Sequence, residues 1–401
     1  MILTGSALRE RFQALDDFLV GHQHLWRPKP FVHLVQPWAA EHSELAAWLS
    51  ARSLEQAEAE HNHPELLPAP APFPELAQRA AALTALGEHP ERPLGALPQR
   101  LSVDVPGRKW QQIEAFTGRL QFRQQPTHWL DWCSGKGHLG RLLAQGGQQL
   151  TCLEYDPQLV EAGQQLSERL HLPATHLLQD VLAVDASQQL RAEHSPVALH
   201  ACGDLHVRLL QLASAAGCTQ LAVAPCCYNR ITAEHYQALS IPAQASSLQL
   251  SHDDLRLPLA ETVTAGQRQR RQRNQSMARR LAFDLLQRQQ RGLDDYLPTP
   301  SLPVSWLDKD FATYCHDLAE LKGVALNGAI NWPTLEAAGW QRLAQVRNLE
   351  LLRGLFRRPL ELWLLLDRAL FLEEQGYRVR LGTFCPYQLT PRNLLLLAER
   401  G

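Results

Sequence analysis

Two sets of residues in this chain have types and spacing that could do chemistry. The first is Asp131, Cys133, Gly135, Gly137, Glu154 and Asp180, with Val181 beside the last. Glycines allow a tight turn and let a ligand approach the backbone. The carboxylates can accept hydrogen bonds from hydroxyl and amino groups. Together they suit a nucleoside. The second set is His200, Asp204, Cys227 and Tyr228. A histidine, a carboxylate, a thiol and a phenol can orient an acceptor atom or take its proton. Asp204 is the best candidate for that task, or else it caps the helix that begins at Leu205.

The elements that must position these residues alternate strand and helix. THWLDW runs apolar into Asp131, a glycine turn follows, and Leu139, Leu142 and Leu143 open a helix that Gly146 and Gly147 stop. Further strands are expected at 149–153, 175–178, 197–200 and 221–224, with helices between them. Asp156 and Pro157 give one helix its N-cap and first position. Such alternation implies right-handed βαβ units and a parallel sheet. Ligands bind such a sheet at the carboxyl ends of its strands. Both sets of residues fall at those ends.

Two cofactors compete for the turn. Gly135, Gly137 and Gly140 fit G-x-G-x-x-G, and Glu154 follows Gly135 by 19 positions, as a dinucleotide fingerprint expects. Asp131 argues against a pyrophosphate, whose charge it would repel. S-adenosylmethionine (SAM) has no phosphate and carries an ammonium and a sulfonium, which a carboxylate favours. The end of the chain points the same way. After a helix over 359–375 come strands at 377–381 and 393–398, joined by too few residues for a helical crossover. They should be antiparallel neighbours. A parallel sheet closed by an antiparallel last strand is the arrangement of class I SAM methyltransferases. The fold class is therefore α/β, a Rossmann-like sheet of seven strands.

With 401 residues the chain exceeds one small core. A hydrophobic content of 45% and a net charge of −2 describe a globular protein with no global attraction to nucleic acid. No apolar run reaches the ~18 residues of a membrane span. Eight cysteines without a signal-like N-terminus point to a reducing, cytoplasmic setting. No Cys-x-x-Cys pair appears. Cys133, Cys202, Cys226 and Cys227 should gather at one end of the sheet. They are read as small residues lining a tight pocket, with no metal assigned.

Four regions follow. Residues 1–106 are a helical N-terminal extension, broken by the proline-rich run after His61 and His63. Residues 107–228 are the first part of the Rossmann-like domain. Its leading helix, 107–120, carries Lys109 and can lean over the cofactor. Residues 229–356 are a mainly helical insertion, and 357–401 close the sheet. Within the insertion, Arg268, Arg270, Arg271, Arg273, Arg279, Arg280, Arg288 and Arg291 face a single internal acid, Asp284. This segment is either a phosphate-binding patch for RNA or a solvated helix paired with acids such as Asp294, Asp295 and Glu261.

The run Asp131-Trp132-Cys133-Ser134-Gly135-Lys136-Gly137-His138-Leu139 resembles the cofactor turn of a methyltransferase domain family. That family includes the ribosomal RNA adenine dimethylase domain-containing and methyltransferase-like proteins. Leu199-His200-Ala201-Cys202-Gly203-Asp204-Leu205 resembles its fourth-strand motif, and Cys226-Cys227-Tyr228 its fifth. Thr390-Pro391-Arg392-Asn393 is similar to its closing Ser-Pro-Arg-Asn. The resemblance implies a SAM-binding Rossmann-like fold. The Asn-Pro-Pro-Tyr of adenine dimethylases is absent, and His200 to Asp204 stands in its place. Expected roles are then as follows. Asp131, Cys133, Gly135 and Gly137 hold the methionine half of SAM, Glu154 the ribose hydroxyls, and Asp180 with the Val181 N–H the adenine. The methyl acceptor is RNA, a protein or a small molecule. The other class of reading is a SAM-binding scaffold without catalysis. The sequence leaves oligomeric state open.

Overall fold

The computed structural model describes residues 1–260 and 266–401. Glu261 lies outside the described residues. In chain order the main elements are β1 (Leu3–Thr4), α1 (Ser6–Gly21), α2 (Ser43–Ser50), α3 (Leu54–Glu60), α4 (Phe73–Thr84), α5 (Gly107–Arg119), β2 (His128–Trp132), α6 (His138–Leu143), β3 (Gln149–Glu154), α7 (Pro157–Arg169), β4 (Ala174–Leu178), β5 (His194–Leu199), α8 (Asp204–Ala215), β6 (Gln220–Ala224), α9 (Gln267–Arg291), α10 (Phe311–Lys322), α11 (Trp332–Gly354), α12 (Arg357–Glu374), β7 (Tyr377–Thr383) and β8 (Leu394–Arg400). They fall into two compact units. One comprises 1–20, 83–259 and 358–401, and the other 21–82 and 260–357.

The first unit is built on an eight-stranded sheet ordered β1-β7-β8-β6-β5-β2-β3-β4. Neighbours from β4 through β6 are parallel, while β8 runs antiparallel to both β6 and β7. The expected seven strands are all present, and the antiparallel closure is as expected. The eighth strand is the two-residue β1, which pairs Leu3 with Leu381 at the edge. It is too short to carry any hydrophobic period. Strands β6 and the first five residues of β8 are buried at every position, because helices cover both faces of a mostly parallel sheet. Local chemistry sets the helix starts. The Asp156 carboxylate accepts the Gln158 N–H (2.8 Å) at the head of α7, with Pro157 at its first position.

α12 lays an inward face of Leu360, Trp363 and Leu364 into the core. Asp367, on the same face, is wholly buried. It accepts the Ser240 N–H and hydroxyl at 2.7 Å and the Leu239 N–H at 3.0 Å, and it also takes the Tyr236 hydroxyl. Residues 229–259 are thereby fastened to the sheet unit.

The second unit is helical. Gly339 of α11 faces Ala278 and Ala282 of α9, where an added Cβ would stand 2.5 Å from the Ala278 carbonyl oxygen. Only glycine permits that approach. Asn348 in α11 donates to the carbonyls of Arg52 and Ser53, joining the 21–82 stretch to the 260–357 stretch. Phe283 and Leu286 of α9 pack with Phe311, Tyr314 and Leu318 of α10. Among the described residues no helix is long and apolar enough to cross a membrane.

Candidate active site

The glycine turn between β2 and α6 is shaped by three positive-φ residues and two backbone hydrogen bonds. Cys133, Gly135 and Gly137 all have positive φ, at 58°, 57° and 72°. The Ser134 N–H donates to the Leu153 carbonyl, and the Gly137 N–H donates to the Ser134 carbonyl. The two glycines differ in what surrounds them. A Cβ at Gly135 would meet nothing within 4 Å, whereas one at Gly137 would stand 2.5 Å from His176 Cε1 and 3.0 Å from Cys152 Sγ. Gly135 therefore offers open space to a ligand. Gly137 is glycine because β3 and β4 press against it from below.

Asp131 sits beneath the turn rather than in it. Its carboxyl is 3% exposed and accepts the Gly140 N–H at 2.9 Å, inside the first turn of α6. Burial pushes this carboxyl up to about 7, and the hydrogen bond from Gly140 and the charge of Arg141 only partly offset that. Near neutral pH its neutral form is far more favoured than that of a free carboxylate. Its ability to repel a pyrophosphate is correspondingly weaker than a free carboxylate's, and it discriminates less between SAM and a dinucleotide. Arg141 closes around the turn from the other side, bonding the Lys136 carbonyl and His138 Nδ1.

Glu154 ends β3 and ties the turn to the next strand. Oε2 accepts the Gly135 N–H at 2.8 Å, and Oε1 accepts the N–H groups of Tyr155 and Asp156 at 2.9 and 3.0 Å. A carboxylate has about four acceptor positions, so one remains for an outside donor. On the neighbouring strand, Gln179 N–H donates to the Glu154 carbonyl (2.8 Å), which sets Asp180 beside it. Asp180 is exposed and accepts the Leu182 N–H at 3.0 Å, while Val181 is buried. Two apolar side chains flank these acids in solvent: Tyr155 is 72% exposed and Leu182 is 46% exposed.

The second set of residues gathers after β5 and β6. His200 has φ of 66° and donates its N–H to the Ala224 carbonyl. Its Nε2 lies 2.6 Å from Gln112 Oε1. The Gln112 amide nitrogen donates to the Leu389 carbonyl, which fixes which end of the amide faces the histidine. Nε2 must therefore carry the hydrogen and Nδ1 the lone pair. Burial, followed by the charge of Lys109, lowers His200 to about 4, so the ring is neutral at physiological pH. The helix that supplies both Gln112 and Lys109 is α5, held by Arg108 donating to the carbonyls of Leu389 and Gln388 at 2.8 and 2.7 Å.

Cys202, Cys226 and Cys227 place their sulfurs within 4.8 Å of one another. The Cys202–Cys226 separation is 3.2 Å and the Cys226–Cys227 separation 3.7 Å. Cys227 is the most acidic of the three. Hydrogen bonds from Cys202 and Cys226 lower it, and Arg230 and Arg392 add to that. Cys133 stands outside this cluster, and burial followed by the charge of Glu154 pushes its thiol up to about 12. Asp204 is the first residue of α8, not its cap. Its Oδ2 accepts the N–H and the hydroxyl of Thr232 at 2.7 and 2.8 Å.

Residues 108–234 match a family described as a methyltransferase domain, which is about a third of the chain. That segment is similar to methyltransferase domains. The match spans the segment from α5 through β6, and so contains the glycine turn and both sets of residues. Similar solved structures include a putative sarcosine dimethylglycine methyltransferase from Galdieria sulphuraria. It is 18% identical, with 32% of this chain and 51% of that chain covered and a TM-score of 0.23. Coclaurine N-methyltransferase bound to N-methylheliamine and SAH is 14% identical, with 54% and 62% covered and a TM-score of 0.24. The N-terminal domain of human METTL16 in complex with SAH is 13% identical, with 43% and 78% covered and a TM-score of 0.22. The chain spans about half the length of the first solved structures it matches. Such low superposition scores say nothing about substrate.

Several side chains of the matched segment differ in placement from what the sequence suggested. Tyr228 is wholly buried, with the Arg368 guanidinium 5.2 Å from its ring and no hydrogen-bond partner for its hydroxyl. Burial holds its phenol well above the usual range, so it takes no proton from a substrate. Asp204 holds the 230–232 loop. Gln112 and Tyr155 were not singled out from the sequence. An aromatic directly after the acid that ends β3 was the available signal for Tyr155. Gln112 had none, being 88 residues from its partner. An open groove of about 690 Å³, lined by Leu94, Phe122, Trp129 and Leu142, lies near the amino end of β2 and does not include the turn.

Proposed function

We propose that this protein transfers a methyl group from SAM to an acceptor bound at the carboxyl ends of β5 and β6. One observation carries the reading: a half-buried carboxylate, Glu154, is anchored to the glycine turn by the Gly135 N–H, and the space beside Gly135 is empty. A nucleoside ribose fits a carboxylate at that strand end. Tyr155 and Leu182 give an adenine ring apolar faces, and Asp180 and the Val181 N–H give its edge an acceptor and a donor. The antiparallel β8 favours SAM over a dinucleotide, now that the charge of Asp131 discriminates less. When bound, SAM supplies an electrophilic methyl carbon on a sulfonium.

The remaining chemistry belongs to the chain. His200 is neutral with Nδ1 as acceptor, held in that tautomer by Gln112. Its Nδ1 can accept a hydrogen bond from the acceptor atom and orient it, while burial and Lys109 oppose the cation that full proton transfer would form. Asp204 supports the loop that follows β6, and Lys109 stands close enough to influence both Asp131 and His200.

For the acceptor we propose RNA. Its support is the exposed first part of α9, where Arg268, Arg270, Arg271 and Arg273 face solvent. The rest of the basic segment is structural. Arg288 pairs with Asp284 and Asp294, Arg291 with Asp295, Arg280 bonds Thr299 and Pro300, and Arg279 is buried. The decisive experiment incubates the protein with tritiated-methyl SAM and cell extract, then fractionates label into RNA, protein and small molecules. S-adenosylhomocysteine formation with label in RNA is expected. Label in protein or small molecules would overturn the acceptor class, and no turnover with any fraction would leave a SAM-binding scaffold.

A further inference from the structure

Cysteines expected as pocket lining turn out to converge on a point. Cys202 follows β5 and the adjacent pair Cys226 and Cys227 follows β6, and their three sulfurs lie within 4.8 Å of one another. Tetrahedral zinc with sulfur at about 2.3 Å places its ligand sulfurs about 3.8 Å apart. Two of the observed separations, 3.2 and 3.7 Å, fall just short of this and the third is no more than 4.8 Å, so the set closes on such an ion with shifts of about an ångström or less.

The backbone holds the two loops in this register. Gly203 N–H donates to the Cys227 carbonyl at 2.5 Å, and Asp204 N–H donates to the Arg230 carbonyl at 3.0 Å. A Cβ at Gly203 would stand 1.8 Å from the Arg230 carbonyl oxygen, and its φ is 52°. Glycine is thus required twice over, for its conformation and for the contact. Thiols held by a rigid backbone lose little freedom when they bind an ion.

From this arrangement we infer that Cys202, Cys226 and Cys227 form a binding site for a soft divalent cation of the zinc class, with a fourth coordination position left open. Three sulfurs favour this over a two-cysteine redox pair, which needs only two. Among the described residues no fourth histidine, cysteine or carboxylate joins the set. Three protein ligands with an open position is the pattern of sites that bind a reacting molecule rather than purely structural ones. Binding forms three metal–sulfur bonds and releases the three thiol protons to solvent, with no change in oxidation state. Three thiolates and a dication leave one net negative charge, which Arg230 and Arg392 face. Cys202 and Cys227 are half-exposed, giving the ion a way in.

The test uses the full chain, purified under reducing conditions and freed of metal, with cobalt(II) as the probe. It reads out sulfur-to-metal bonding and is independent of methyl transfer. One equivalent of cobalt should give a thiolate charge-transfer band and tetrahedral visible bands, displaced by one equivalent of zinc. Cys202→Ser and Cys227→Ser, confirmed folded by circular dichroism, should each lose about a third of the charge-transfer intensity and bind at least about tenfold more weakly. Cys218→Ser, at the far end of β6, should match wild type. The inference is overturned by wild-type protein showing no charge-transfer band, by both cluster variants matching wild type, or by peptide mapping that finds Cys202 and Cys226 joined as a disulfide in freshly purified protein.

Discussion

Replacing Glu154 with glutamine changes one oxygen of a carboxylate into an amino group and leaves the shape intact. In the native turn the two oxygens accept from Gly135 on one side and from Tyr155 and Asp156 on the other. A glutamine can accept on one side only, and its amino group then faces a backbone N–H. Hydrogen bonds to a charged group contribute about 1.5–3 kcal/mol, and half-exposure of Glu154 reduces that to about 1–2 kcal/mol. The loss of a ribose acceptor adds a similar amount in the complex. With about 1.4 kcal/mol per factor of ten, that loss in the complex should weaken SAM binding about 5- to 30-fold. Calorimetry on folded protein measures this, with a thermal melt to correct for destabilisation. A dissociation constant within twofold of wild type would refute the role given to Glu154.

Other outcomes follow from the same geometry. Asp131 has a folded-state value of about 7 against an ordinary 3.8, so between those pH values the folded chain holds more proton than the unfolded one. The stability this contributes is full below the lower value and is lost as pH rises through the upper one. The melting-temperature advantage of wild type over Asp131→Asn should therefore shrink from pH 4 to pH 7 and then level off; a difference independent of pH would contradict it. Gly137→Ala meets His176 and should cost about 1–3 kcal/mol of stability, read by denaturant titration. Gly135→Ala, with open space around it, should cost about 1–2 kcal/mol through φ alone and show its larger effect on SAM affinity; the reverse ranking would be wrong for this account. If RNA is the acceptor, combined Arg268→Ala, Arg271→Ala and Arg273→Ala should reduce the slope of log affinity against log salt by about 2 for a single strand. An unchanged slope would place RNA elsewhere or exclude it.

What the sequence revealed was what local pattern can carry. Strands β2 to β8 each show a run of apolar residues or an alternation long enough to read, and the turn at 133–137 announces itself by glycine. The acid at each strand end follows from that reading. Long-range pairings were not legible. Nothing near residue 200 indicates that Gln112 sets its tautomer, and nothing in Asn348 points to Ser53. Residue types also conceal direction. Asp131 and Tyr228 look like pocket residues because they sit at strand ends, yet both point inward, one to an amide and the other beneath Arg368. The arginine count in α9 overstated the free charge, because Arg288 and Arg291 close ion pairs within a turn or two.

On the proposed function, the turn between β2 and α6 holds a sulfonium nucleoside. Side-by-side calorimetric titration of the full chain with SAM and with NAD tests it most directly. One SAM site per chain, weakened in Glu154→Gln, and no heat from NAD are expected. Stoichiometric NAD binding that Glu154→Gln weakens, with none for SAM, would contradict it.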